Sequence, residues 1–164
     1  MSKILIIDDD VNFIEYLNRK LRKENFEVIF TNSGNDAINF VKKEMPDLIL
    51  LDIMMPEISG IEICKNIISE PQISNIPVIF ITGKISPEDV QAGFQAGAYD
   101  YIKKPIDSLE FLARIRSALK FREAQKLVIE TERLKTFAAT VVTANHKIKQ
   151  PLTLINLSLS AIKR

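Results

Sequence analysis

Five short apolar runs recur along the chain, and they constrain its fold more than any other feature. They are "KILII" (3–7), "FEVIF" (26–30), "LILL" (48–51), "PVIFI" (77–81) and "YDYI" (99–102). Each is short, rich in Ile, Val or Phe, and bounded by turn or polar residues, so each reads as a strand. Longer amphipathic stretches between them predict helices near 11–24, 34–45, 58–69 and 86–96. Ser33 and Ser86 are placed to cap two of these, Pro87 suits a first helical position, and Gly97 suits a helix end. Strand and helix alternating in this way predict an α/β fold, a doubly wound five-stranded parallel sheet with helices on both faces. Runs this uniformly apolar fit strands covered on both sides.

Length and charge narrow the classes. The 164 residues allow one domain plus an appendage. Basic and acidic residues nearly cancel, 22 against 21, which removes the electrostatic basis for a nucleic-acid partner. Cys64 is the single cysteine, so an internal disulfide is excluded and a small buried side chain is the natural reading. The N-terminal "MSKILIIDDD" meets acid too early for a secretory signal. No apolar run approaches the roughly 20 residues that span a bilayer. The reading is a cytoplasmic chain with no membrane partner.

From about Asp107 the strand pattern stops, which divides the chain into a domain over 1–120 and a helical segment over 121–164. Two registers repeat every seven residues there. One is Ala124, Thr131, Ala138, Asn145, Leu152 and Leu159. The other, Leu127, Leu134, Val141, Ile148, Ile155 and Ile162, is apolar throughout. This predicts a long C-terminal coiled-coil helix. Its stripe must be covered, which points to a homodimer through this stretch or to a truncation that removed the partner helix. Pro151 predicts a kink.

The polar residues at the strand ends carry the chemistry. Asp8, Asp9 and Asp10 follow the first strand, Asp52 ends the third, Thr82 follows the fourth and Lys104 follows the fifth. In open α/β sheets that edge is where ligands bind. Clustered carboxylates raise one another's pKa unless a cation sits among them, and a few hard oxygen donors suit Mg²⁺. A carboxylate so placed is a usable nucleophile toward phosphorus, with a hydroxyl and an ammonium to hold the transferred oxygens. Simpler roles stand beside these. Asp10 reads best as a helix cap, and capping serves equally well for Asp8 and Asp9. Thr82 and Lys104 taken singly mean little, and Tyr101 alone reads as an ordinary strand tyrosine. The joint placement at separate strand ends carries the specificity.

With "ILIIDDD", "PDLILLDIMMPEISGIEIC", "PVIFITGK" and "GAYDYIKKPI" in this order, residues 1 to about 120 resemble the receiver domain of two-component response regulators. The resemblance implies a flavodoxin-like sheet of order 2-1-3-4-5. It implies that Asp52 accepts a phosphoryl group from a phosphohistidine, the partner being a histidine kinase or phosphotransfer protein. Asp9, Asp52 and the main-chain carbonyl of Met54 would ligate Mg²⁺, with Asp8 acting through a water. Thr82 would bond a phosphoryl oxygen, Lys104 would pair with the phosphoaspartate across a cis bond to Pro105, and Tyr101 would be the switching aromatic. Two other functions remain on this reading. One is a docking module or phosphate sink for a separate kinase. The other, an aspartyl-phosphate phosphatase, is disfavoured because Met54 stands where such enzymes carry a second aspartate.

The lone histidine lies in "NHKIKQPLTLI" (145–155), which resembles the phosphoacceptor motif of sensor histidine kinases. His146 would then be a second phosphoacceptor, on the first helix of a kinase dimerisation domain. Lys147 departs from the pattern, which commonly has an acid there. The chain carries no ATP-binding domain and ends at Arg164, so the expectation is a piece of a hybrid histidine kinase with an N-terminal receiver.

Overall fold

The computed structural model describes residues 1–83 and 87–162, with side chains up to 141 apart from that of Pro87. Its elements alternate as β1 (Lys3–Ile7), α1 (Val11–Lys23), β2 (Glu27–Thr31), α2 (Ala37–Glu44), β3 (Leu48–Asp52), α3 (Gly60–Ser69), β4 (Val78–Thr82), α4 (Pro87–Gln95), β5 (Asp100–Lys103) and α5 (Ser108–Ile162). All strand pairs are parallel, in the order β2-β1-β3-β4-β5. The chain divides into two units, 1–123 and 124–164.

The period-two alternation of the strands sorts the core of the first unit into two layers. Leu5, Ile7, Ile49, Leu51, Val78 and Phe80 face α2 and α3, meeting Ala37, Val41, Ile63, Cys64 and Ile67. Their sequence neighbours Ile4, Ile6, Leu48, Leu50, Ile79 and Ile81 face the opposite way, onto Ile14, Leu17 and Leu21 of α1 and Phe111, Ile115 and Ala118 of α5. Every residue of β3 and β4 is buried. That is why these two runs read as unbroken apolar stretches. Each fully buried Leu or Ile contributes roughly 1.5–3 kcal/mol through the apolar surface it removes from water.

The helix ends show what the sequence signals were worth. Asp10 caps α1, its side chain accepting from the N–H groups of Asn12 and Phe13. Pro87 opens α4, and Gly97 after it has φ +92°, a left-handed conformation that glycine adopts at little cost. Ser33 does not cap α2. Its hydroxyl exchanges bonds with Asp36, forming a turn, so the helix starts three residues later than expected. Ser86 lies outside the described residues.

In the second unit, Leu127, Leu134, Phe137 and Val141 are exposed. The hydroxyls of Thr131, Thr136 and Thr140 each donate to the carbonyl four residues back. His146, Lys147 and the kink expected at Pro151 lie outside the residues whose side chains are described. Among the described residues no helix is long and apolar enough to cross a membrane.

Candidate functional site

Strand order reverses between β1 and β3, which opens a crevice at their carboxyl ends. Asp8 directly follows β1 and is only 2% exposed. One of its oxygens accepts from the Asp10 N–H at 2.9 Å, and the other accepts from Lys104 Nζ at 2.9 Å. Asp9, next in the chain, is exposed. Asp52 is the last residue of β3 and is 6% exposed. Its Oδ2 accepts from the Met54 N–H at 2.9 Å, and its Oδ1 lies 3.2 Å from Lys104 Nζ. Carboxylate oxygens of Asp8, Asp9 and Asp52 all lie within 4.8 Å of one another. Thr82 closes β4 and is fully buried, and its carbonyl accepts from the Lys104 N–H at 2.8 Å. The Lys104–Pro105 bond is cis.

The electrostatics follow from this crowding. Burial raises the Asp52 carboxyl above its ordinary value; Lys104 opposes the rise and Asp8 adds to it. Burial alone would lower Lys104, but its bonds and charge contacts with Asp8 and Asp52 outweigh that and raise it. The ammonium thus stays charged between two carboxylates. It also lies 3.9 Å from the centroid of the Phe13 ring, where the ring's negative face attracts a cation.

Two residues that sequence reasoning passed over shape this arrangement. Phe13 supplies that ring from the first turn of α1; it lies 91 positions from Lys104, so no local pattern marks it. Gly60 opens α3 directly under Asp52. A Cβ built there would fall 2.0 Å from the Asp52 carbonyl oxygen. The visible trace in the sequence is a glycine where a helix begins.

The residues of the first unit match the family of the response regulator receiver domain over 4–116. This chain is a member of that family. It is 42% identical over 130 residues to the response regulator ArlR of Staphylococcus aureus. That match covers 79% of this chain and 58% of the relative, so the chain spans under two thirds of the curated relative's length. Among solved structures, the signal receiver domain of a histidine kinase from Syntrophus aciditrophicus is 30% identical, with a TM-score of 0.68, covering 73% of this chain and 91% of that one. A CheY-like receiver domain protein from Methanospirillum hungatei is 27% identical, with a TM-score of 0.70, over 76% and 98% of the two chains.

Receivers work in two-component signalling and in general bind Mg²⁺ at an acidic pocket. The donor set of this receiver fits such an ion. The three neighbouring carboxylates are hard oxygen ligands, and one of them, Asp9, faces solvent. Beyond the carboxylate cluster, Thr82 and Tyr101 line one largely apolar crevice with Ile53, Phe80, Val90 and Phe94, to which Asp89 and Asp100 also contribute. The half-buried Tyr101 ring meets Phe94 edge-on at 6.0 Å, and the Arg114 guanidinium lies 5.9 Å from its centroid. Arg114 is held there by Asp100 at 2.6 Å and Glu110 at 2.7 Å.

Proposed function

We propose that Asp52 is the phosphoacceptor of this receiver, charged by a phosphohistidine of a histidine kinase or phosphotransfer protein. The observation that carries this is a buried carboxylate at the tip of β3 held against Lys104 at 3.2 Å, with two more carboxylates beside it. In the transfer, the phosphorus–nitrogen bond breaks as a bond forms to an Asp52 oxygen, and the imidazole leaves with the bonding electron pair. Packing of β3 on both faces fixes the nucleophile. The Lys104 ammonium offsets charge that develops on the transferred oxygens, and the Thr82 hydroxyl bonds one of them. Asp9, Asp52 and the Met54 carbonyl would hold Mg²⁺, with Asp8 reaching it through a water. The bound ion supplies positive charge among carboxylates that otherwise repel.

The added charge then biases the crevice that Thr82 shares with Tyr101, and Tyr101 is the switch read by a partner. Downstream, the second unit forms a homodimer through its heptad stripe and passes the phosphorylation state to a kinase dimerisation region bearing His146. Support for that last step is the sequence motif and the unbroken heptad phase. Inserting two residues near Thr131 should uncouple Asp52 from His146 if a rigid helix carries the signal.

The core assignment is tested by treating the chain with a small phosphodonor and Mg²⁺ and measuring intact mass. One phosphoryl group should be gained, and the Asp52→Asn variant should gain none. Equal uptake by the variant would refute the assignment.

A further inference from the structure

Assigning Leu127, Leu134 and Val141 to the d positions of a heptad places Ala124, Thr131 and Ala138 at a, Glu130 and Phe137 at g, and Val128 and Lys135 at e. Leu127 and Leu134 are 65% and 64% exposed, too much apolar surface on one stripe to stay in water unaided. Resting on the homodimer reading above, we infer that the occupant is a second copy of this chain, parallel and in register, clamped by Glu130 of each copy against Lys135 of the other.

Charge decides the orientation. In a parallel pair, each g residue faces the e residue five positions on in its partner. Glu130 therefore meets Lys135 twice, once on each side of the seam. A slip of one heptad leaves a single opposite-charge pair, Glu123 against Lys135. An antiparallel pair sets g against g and e against e, and from residue 123 on no g residue is basic and no e residue is acidic, so neither Glu130 nor Lys135 meets an opposite charge. Lys135 is free to make the exchange. Its present partner is Glu132 on the same helix at 2.9 Å, both side chains about two-thirds exposed, and such a pair holds it weakly.

The polar seam residues agree. Thr131 at a donates its hydroxyl to the Leu127 carbonyl at 2.8 Å, so covering it leaves no donor unsatisfied. The next a position in sequence after Ala138 is Asn145, a residue type that at a favours two strands in fixed register.

The test uses the 164-residue chain in sedimentation and mild oxidation. The native chain should sediment as a dimer. Ala138→Cys, at a, should link to itself, because facing seam residues fall within the Cα separation of about 4.4–6.8 Å that a disulfide needs. Ile129→Cys, on the outer face, should not link. Cys64 can stay in place, since it is buried and its thiol is pushed up to about 12. Glu130→Lys should raise the dimer Kd about tenfold, through two lost pairs and two repulsions. Adding Lys135→Glu should restore it. A monomer at about 100 µM, which means a Kd weaker than that concentration, would overturn the homodimer reading and this inference together. A dimer in which Ala138→Cys fails to link, or in which the charge exchange fails to restore Kd, overturns the orientation alone.

Discussion

Gly60→Ala is the smallest change that reaches the acid site from outside it. The added Cβ would lie 2.0 Å from the Asp52 carbonyl oxygen, 2.9 Å from its carbonyl carbon and 3.0 Å from the Ile53 Cα. A Cβ contact is essentially never closer than 3.0 Å, so the oxygen and the methyl must part by about 1 Å. The obstacle is backbone, and no side chain can swing away to make room. The Gly60 N–H donates to the Ile53 carbonyl at 3.0 Å, and the Ser59 side chain accepts from the Glu62 N–H, so the start of α3 is pinned against retreat. Overpacking of this kind costs about 1–3 kcal/mol, and an immovable partner argues for the upper end. In a unit of this size that lowers Tm by about 10 °C. The same shift carries Asp52 with it. A displacement of about 1 Å in a reacting group can cost on the order of 10²-fold in rate. Thermal melting and phosphodonor uptake measured on the same preparation read both effects. A variant with unchanged Tm and unchanged uptake would show that the strand–helix junction is not the constraint described. A variant that melts low yet phosphorylates normally would separate packing from positioning.

Asp52→Asn should stabilise the fold near pH 7 and leave it unchanged in acid. Burial first, then the Asp8 charge, hold the folded carboxyl above its ordinary 3.8 against the pull of Lys104. The native state therefore binds its proton more tightly than the unfolded chain, and ionisation costs stability as pH rises. Urea titrations should show a gain for the variant that grows above about pH 4; a gap independent of pH would be the wrong result. Met45→Gly should stabilise by about 1 kcal/mol, because Met45 ends α2 in the left-handed region at φ 46°, which costs a non-glycine residue about 1–2 kcal/mol; an unchanged urea midpoint would count against it. Phe13→Leu should cost about 1 kcal/mol through loss of the ring under Lys104. Pairing it with Lys104→Met in a double-mutant cycle isolates the contact, and additive losses would deny it.

The middle of the sheet was legible because β3 and β4 are buried on both faces, so an unbroken run such as "LILL" admits few other readings. The ends moved by a residue or so. β2, β4 and β5 each start one position later than the apolar runs suggest, because strand pairing and not apolarity sets the boundary. α2 shows the opposite failure. Ser33 has the chemistry of a cap, but Asp36 takes both of its bonds and turns the chain before the helix begins. Glu57, with φ 71°, is another position that local propensity misplaces. Tertiary contact holds it, including the Asn35 amide that donates to its carboxylate at 2.6 Å.

The acid site was legible as a set of residue types at strand ends, but its internal wiring was not. Resemblance assigns Lys104 to the phosphorylated aspartate and Asp8 to a water. In this structure Lys104 lies nearer to Asp8, at 2.9 Å, than to Asp52, at 3.2 Å. Asp8 and Asp52 are both buried, at 2% and 6% exposure, and a buried carboxylate without a partner is costly. One ammonium therefore serves two carboxylates while the face of Phe13 limits where it can go. A phosphoryl group on Asp52 would add charge on one side of that balance only. The ammonium would then be drawn from Asp8 toward Asp52, and because the Lys104 N–H is bonded to the Thr82 carbonyl, the tips of β4 and β5 feel the same pull. The proposed coupling from acid site to the Thr82–Tyr101 crevice would then need no long path. It starts with one lysine shared between two acids.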